Sequence, residues 1–348
     1  MISELILALK EGTDLTYEQM SQAMADVLSG RTSDSQNADF LSYLADKGET
    51  DDELLGMLDK MQEFSLKVKP RNKGTIIDMC GTGGDRLHTF NISTAASFVV
   101  AAAGGTVAKH GNRSSSGVSG SADVFEHFGY DLDMEPASIA DILQKHGICF
   151  MFAQKFHPAM RHVSAARKTL GRRTAFNLLG PLSNPAGVTS QLVGVSSAEY
   201  LDRLPLILKR RGAENIMTVR SDDGMDEFST SSVNRVCVLK DGKVLMNAID
   251  PEVLGLHKSS LKDIQVSSRD GAIRSFVGVL NGTANRPMME TVALNAAGGL
   301  IVANVCKNFE EAIQVALETM DSGKAFALLK RFVQDTGDIS KLKEVADG

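Results

Sequence analysis

The chain has 348 residues, long enough for two domains or for one large domain with an appendage. Its 37 Lys+Arg against 43 Asp+Glu give a net charge of −6, which argues against a duplex nucleic-acid binder that must neutralise phosphates. At 43% hydrophobic and 23% charged it is too apolar for a disordered chain, and collagenous and coiled-coil readings fall with it.

The N-terminal MISELILALKEGTD lacks a basic n-region and a small-residue cleavage site, so it reads as a short amphipathic helix and not as a signal peptide. Thr16 to Gln19, Ser33 to Gln36 and Thr50 to Glu53 each have the capping-box spacing, which marks three helix starts independently. Gly30 and Gly48 sit where glycines close the preceding helices. Leu54, Leu58 and Met61, flanked by Met57 and Phe64, make an apolar helical stripe. The first seventy residues therefore read as a helical unit.

After KPRNKG at 69–74 the pattern changes to short apolar runs alternating with helices. TIIDMC at 75–80, GTVAKH at 105–110, ICFMFA at 148–153, QLVGV at 191–195 and NIMTV at 215–219 read as strands. Pro136 and Pro158 mark helix starts between them, and Gly129, Gly147 and Gly171 mark helix ends. This alternation predicts a mainly parallel sheet covered by helices. NISTAASFVVAAAGGTVA at 91–108 is uncharged, but its polar residues and Gly pair make it a buried helix followed by a strand rather than a membrane span. From about residue 232, SVNRVCVL, KDGK and VLMNAI signal an antiparallel hairpin, and from about 287 the chain is helical again. Cys80, Cys149, Cys237 and Cys306 are dozens of residues apart with no CxxC pair. That spacing suggests neither a zinc site nor a disulfide framework, and a cytoplasmic protein is expected.

Chemistry concentrates at strand ends. GTGGD at 81–85 follows the first strand and leads through NIST at 91–94 into the Ala-rich helix. Glycines allow close backbone approach, hydroxyls add donors and a helix start offers free amides, so an anionic ligand is expected. The pattern fits neither GxGxxG nor GxxxxGK[ST]. The second strand ends in KHGNR at 109–113, followed by SSSGVSGSAD. In a parallel sheet Lys109, His110 and Asn112 would be presented beside the first loop, the Ser/Gly run would close over the ligand, and Ser121 would cap the next helix. Asp226-Glu227 stand on a turn after the fifth strand. Locally they read as a solvated acidic turn, but the phosphate loop upstream turns the reading toward magnesium held with substrate phosphates. PAMRHVSAARKTLGRR offers Arg161, Arg167, Lys168, Arg172 and Arg173 for a substrate carboxylate, and spacing selects none of them. No G-x-S-x-G elbow, HExxH or paired Cys/His nucleophile occurs, which disfavours covalent and zinc chemistry.

Taken in order, GTGGD, NIST, KHGNR, SGSAD, FHPAMRHV with Arg167, FNLLGPLSNP at 176–185, DGMDE and LNAAGGLIVANV resemble the anthranilate phosphoribosyltransferases over nearly the whole chain. The resemblance implies an α/β fold of the nucleoside-phosphorylase type. Its small helical domain would span residues 1–70, completed by a helical segment near 165–185, and its α/β domain residues 71–348. It implies a homodimer, with the apolar N-terminal helices as contact surface; the acidic charge and the reading of 91–108 as helix and strand give no expectation of a nucleic-acid or membrane partner. It implies transfer from 5-phosphoribosyl 1-diphosphate (PRPP) to anthranilate in tryptophan biosynthesis, with Mg2+ as two ions. By position, Gly81, Gly84, Asp85, Thr89, Asn91, Ile92, Ser93 and Thr94 match the diphosphate loop. Lys109, His110, Gly111, Asn112, Arg113, Ser114, Ser115, Ser116 and Gly117, with Ser121, match the second phosphoribosyl segment. Ser93, Asp226 and Glu227 match metal ligands. Gly81, Asn112 and Arg167 match positions that meet anthranilate, with His110 and a Gly180-Pro181 turn lining its path. Lys109, His110, Asn112 and Arg167 are the expected catalytic set.

Two positions depart from the family pattern: Arg220-Ser221 stands where His-Gly is usual, and Gly117-Val118 where Ser-Lys is frequent. Two other readings of the fold remain. A pyrimidine-nucleoside phosphorylase would dispense with Asp226-Glu227 as metal ligands. A non-catalytic nucleic-acid-binding relative would be expected to lose GTGGD, NIST and the Asp226-Glu227 pair and to gain a basic face.

Overall fold

The computed structural model describes residues 2–85, 87–114 and 117–347. In chain order its helices and strands begin with α1 (Ile2–Lys10), α2 (Tyr17–Leu28), α3 (Asp34–Lys47), α4 (Asp51–Glu63), β1 (Ile76–Gly81), α5 (Ile92–Ala102), β2 (Thr106–Gly111) and α6 (Ser121–His127). There follow α7 (Pro136–His146), β3 (Ile148–Phe152), α8 (Ala153–Phe156), α9 (Arg161–Leu170), α10 (Ala175–Leu182), β4 (Ser190–Gly194), α11 (Tyr200–Arg210) and β5 (Asn215–Ser221). The chain ends with β6 (Asn234–Lys240), β7 (Lys243–Ile249), α12 (Arg269–Leu280), α13 (Arg286–Val302), α14 (Phe309–Asp321), α15 (Lys324–Thr336) and α16 (Ile339–Asp347). These form two compact units, Met1–Lys67 with Ala153–Gly187, and Val68–Phe152 with Val188–Gly348. The second segment of the helical unit thus opens at Ala153, earlier than the 165–185 that the resemblance implies.

In the helical unit all three capping boxes form. Thr16 accepts from the Gln19 amide at 3.2 Å and its own amide donates to Gln19 Oε1 at 2.9 Å, and Ser33/Gln36 and Thr50/Glu53 repeat the pattern. Glu53 does more than cap. Its fully buried carboxylate also accepts from the Leu15 amide at 2.9 Å and from Lys47 Nζ at 2.9 Å, so the charge is paired and hydrogen-bonded. Leu54, Met57, Leu58 and Met61 are buried as the stripe predicts. Gly180-Pro181, expected as a turn, instead lies in the last turn of α10. There Ser183 Oγ donates to the Gly180 carbonyl at 2.9 Å.

His157 is buried beside Ser183, Nε2 to Oγ 3.3 Å, and burial pushes its pKa down to about 4. The unfolded imidazole titrates near 6.5, so between these values the unfolded chain binds the proton and the folded chain does not. The stability contributed by neutral His157 is therefore full above about pH 6.5 and lost as pH falls toward about 4. From pH 7.5 to 5 the wild type is expected to lose about 2 kcal/mol more unfolding free energy than His157→Gln in urea titrations. Equal losses would show that His157 is not the acid-sensitive group.

The other unit is built on a seven-stranded sheet in the order β3-β2-β1-β4-β5-β6-β7, parallel through β5 and antiparallel at β6 and β7. The β6–β7 hairpin turns at Asp241 and Gly242, both left-handed with φ 50° and 72°, with Lys240 paired to Lys243. Helix α5 is buried along most of its length, against β1, β2 and α13, as its Ala-rich sequence requires. Among the described residues no helix is long and apolar enough to cross a membrane. Helix α12 was not foreseen. Gly271 and Gly278 dilute its helical propensity, and its one local signal is Ser268, which accepts from the Gly271 amide at 3.0 Å.

Candidate functional site

The strand order reverses between β1 and β4, because the chain moves from β1 to β2 and β3 on one side and to β4 and β5 on the other. Ligand crevices of open α/β sheets lie beyond the carboxyl ends of strands at such a reversal. Here the ends are Gly81 and Gly194, paired in register. Asp226 lies across both. A Cβ on Gly81 would meet Asp226 Oδ2 at 2.5 Å, and one on Gly194 would overlap the Asp226 carbonyl oxygen. The two glycines thus clear the seat of the carboxylate. Gly194 was missed from sequence because one glycine inside an apolar strand run carries no signal of its own.

The glycine loop turns its amides inward. Gly83 N–H donates to Asp226 Oδ2 at 2.6 Å, and Gly83 and Gly84 adopt φ of 71° and 88°, a left-handed pair open to glycine. Asp85 accepts from the Leu87 amide at 3.2 Å. Thr89 bridges to Gln265. At the start of α5 the Ser93 amide donates to Glu227 Oε1 at 3.3 Å, so the helix N-terminus faces a negative oxygen. Ile92 is buried beneath it.

Burial, with Asp85 beside it, raises the pKa of Asp226 to about 7. Burial and then Asp226 raise Glu227 to about 8. Lys109 is the nearby cation that opposes this. It lies on β2 with 1% exposure, and Nζ donates to the Met79 carbonyl at 2.6 Å and to Ser93 Oγ at 3.4 Å. Burial pulls its pKa down while Asp78 and Glu227 hold it up. Lys109, expected on the crevice surface, thus stands below it as a buried counter-charge. Asp78, also missed, is a fully buried carboxylate on β1 whose Oδ1 accepts the Met79 amide at 2.8 Å and the His110 amide at 3.1 Å. A charge inside TIIDMC was the signal. His110 is buried next to it.

The second segment is tied to the first. Asn91 Nδ2 donates to the Ser119 carbonyl at 3.1 Å, and Thr94 Oγ1 to Ser121 Oγ at 3.0 Å. Ser121 is the first residue of α6 and not its cap. The cap position belongs to Gly120, where a Cβ would strike Arg113 C and Asn112 O at 2.6 Å and whose amide donates to Asp123 Oδ2 at 2.7 Å. Gly111 ends β2 close against Phe150 and Ser121, and the Ser114 amide donates to Asp123 Oδ2 at 3.3 Å. Asn112 is exposed, its Oδ1 accepting the Arg113 amide at 2.8 Å. Arg113 turns to α6, where it forms a bidentate pair with Glu126 at 2.5 and 2.6 Å. Ser115 and Ser116 lie outside the described residues, and Gly117 is exposed. Arg220 donates to the Ser196 carbonyl at 3.4 Å.

Arg167 belongs to the helical unit. Half-buried on α9, it stands over the Phe176 ring at 5.6 Å and has no carboxylate partner among the described residues. Arg172 is used structurally, donating to Asp46 at 2.6 Å and to the Ser42 carbonyl at 2.8 Å.

Among the described residues no three His, Cys, Asp or Glu side chains converge as a metal site. Asp226, Glu227 and the Ser93 hydroxyl form a smaller, all-oxygen set. Glu227 Oε2 in it is buried with no hydrogen-bond partner. A buried carboxylate oxygen lacking donors fits a hard cation that keeps waters and substrate oxygens in its remaining positions.

The family model described as "Glycosyl transferase family, a/b domain" matches residues 73–326, and that described as "Glycosyl transferase family, helical bundle domain" matches residues 3–65. The chain is 78% identical over all of both chains to the anthranilate phosphoribosyltransferase of Nitrosopumilus maritimus. It is 52% identical to that of Cenarchaeum symbiosum, over 97% of this chain and 98% of the relative. The solved anthranilate phosphoribosyltransferase of Thermus thermophilus superposes with a TM-score of 0.88 at 35% identity, covering 94% of this chain and 98% of that one. That of Saccharomyces cerevisiae, solved in complex with PRPP and Mg, superposes with a TM-score of 0.86 at 25% identity, covering 96% and 98%. Sequence, fold and motif order agree, and the chain belongs to the anthranilate phosphoribosyltransferases.

Proposed function

We propose that phosphoribosyl transfer from PRPP to the amine of anthranilate, the family's step in tryptophan biosynthesis, runs in this chain on the carboxyl edge of β1, β2, β4 and β5. Asp226, Glu227 and Ser93 are the magnesium ligands in this reading. The observation that carries it is Glu227 Oε2, a buried oxygen with no donor beside an all-oxygen set. The yeast relative solved with PRPP and Mg supports it, and two ions are part of the proposal.

Cleaving the C1–O bond leaves positive charge on the ribose and added negative charge on the departing pyrophosphate. Magnesium, when bound, would offset that negative charge. The amides of the 81–85 loop and of the α5 N-terminus are preorganised donors toward negative oxygens, and here they already serve Asp226 and Glu227. Lys109, buried beneath, lends its charge from below without leaving its seat. Gly84, Asp85, Thr89 and Asn91 to Thr94 line the diphosphate, and His110, Gly111, Asn112, Ser114, Gly117 and Ser121 line the phosphoribosyl group, while Arg113 is held by Glu126. Anthranilate is an aromatic amine, already neutral near pH 7, so placement matters more than a strong base. On the sheet edge Gly81 and Asn112 serve that placement and His110 orients, and the family resemblance matches Arg167, on the helical unit, to the guanidinium for the carboxylate. A homodimer through the helical unit and a cytoplasmic location belong to the same proposal, supported by the exposed Leu7 on α1 and four free thiols.

The test is the loss of anthranilate fluorescence on mixing with PRPP, with and without magnesium, for the wild type and for Asp226→Ala/Glu227→Ala. Magnesium-dependent loss in the wild type, lowered on the order of 10³-fold or more in the double variant, is expected. An equally active double variant would remove these residues from the metal site.

A further inference from the structure

The segment after β5 is a loop, yet Met225, Asp226, Phe228, Ser229 and Thr230 are all buried. A buried loop has no strand ladder to satisfy its peptide groups, so side chains must supply the partners. Asn295, in the middle of α13, does this for Phe228. Its Oδ1 accepts the Phe228 amide at 3.0 Å and its Nδ2 donates to the Phe228 carbonyl at 2.7 Å. Nδ2 also donates to the Thr291 carbonyl at 2.9 Å, one turn back on the same helix, which locks the amide plane. Asn234 repeats the arrangement on the next residue, accepting the Ser229 amide at 2.8 Å and donating to its carbonyl at 2.9 Å. The Phe228 ring fills the hollow at Gly298, where a Cβ would meet Cε2 at 2.8 Å. One face of α13 therefore holds both the backbone and the ring of the residue that follows Glu227.

We infer that Asn295 is a positioning residue for the metal carboxylates. The Phe228 N–H belongs to the peptide joining it to Glu227, so the Asn295 clamp sets the plane from which the Glu227 side chain departs toward Ser93. The amide offers a donor and an acceptor on separate atoms, which lets it hold the Phe228 N–H and C=O at once. A carboxylate there would lack the donor and place another negative charge near Glu227. The inference rests on the reading of Asp226 and Glu227 as magnesium ligands.

The test measures binding directly, with Mn2+ as probe by electron paramagnetic resonance in the presence of PRPP, beside the magnesium dependence of turnover. Asn295→Ala is expected to weaken Mn2+ binding and raise half-saturating magnesium about tenfold, a loss in the range of a buried clamp, with anthranilate KM within about twofold. Asn285→Ala is the control for helix stability. It removes the cap of α13, where Oδ1 accepts the Met288 amide at 2.9 Å, and should lower the melting temperature without moving metal affinity. Should Asn295→Ala not fold, Asn295→Ser carries the same expectation. Wild-type Mn2+ affinity in a folded Asn295 variant overturns the inference. Wild-type Mn2+ affinity in Asp226→Ala/Glu227→Ala overturns the metal reading itself.

Discussion

Gly194→Ala is expected to lower kcat/KM on the order of 10²-fold or more while leaving the protein folded. The reason is steric and local. The new Cβ would occupy the place of the Asp226 backbone carbonyl, which, unlike the far end of a side chain, cannot swing away. The 222–230 loop must then move as a piece. Its tie to α13 makes the movement costly, since Asn295 accepts the Phe228 amide at 3.0 Å and donates to the Phe228 carbonyl at 2.7 Å. The displaced loop takes Asp226 from the Gly83 amide and Glu227 from the Ser93 amide. The measurement is the initial rate of fluorescence loss over a magnesium series, with circular dichroism to confirm folding. Wild-type rates would show that the loop accommodates the methyl and that Gly194 has no part in seating the carboxylate.

The second large effect concerns stability. Lys109→Met removes the buried ammonium from among Asp78, Glu227 and the Met79 carbonyl while keeping an unbranched apolar stem one atom shorter. Removing one partner of a buried charge cluster typically costs about 3–5 kcal/mol, because the remaining charges stay desolvated. Urea unfolding of the metal-free protein should show a drop of that order, and magnesium should stabilise the variant more than the wild type, since it restores positive charge beside Glu227. A variant as stable as the wild type would mean that Lys109 is not the counter-charge of this cluster.

Much was legible in the sequence because it is short-range. A capping box is closed between residues three apart, so Thr16, Ser33 and Thr50 declare their helices without help from the rest of the fold. The Asp241-Gly242 turn is written in two residues that tolerate a left-handed backbone. The alternation of apolar runs and helices sets a parallel, helix-covered sheet, and that sheet brings GTGGD, NIST, KHGNR and the Asp226-Glu227 turn to one edge. The missed helix α12 shows the limit of the same signals, for two glycines weaken its pattern while tertiary packing keeps it helical.

What only the tertiary structure decided is long-range. The hydrogen bond from Gly83 to Asp226 spans 143 residues, that from His110 to Asp78 spans 32, and that from Phe228 to Asn295 spans 67. No local pattern says that Gly194 must be bare to admit a carbonyl from another loop, that Arg113 turns away to Glu126, or that Lys109 lies below the crevice. Residue type and spacing determine which groups reach the strand ends. Packing at those ends determines which of them are buried, what each faces and hence the charge each can hold.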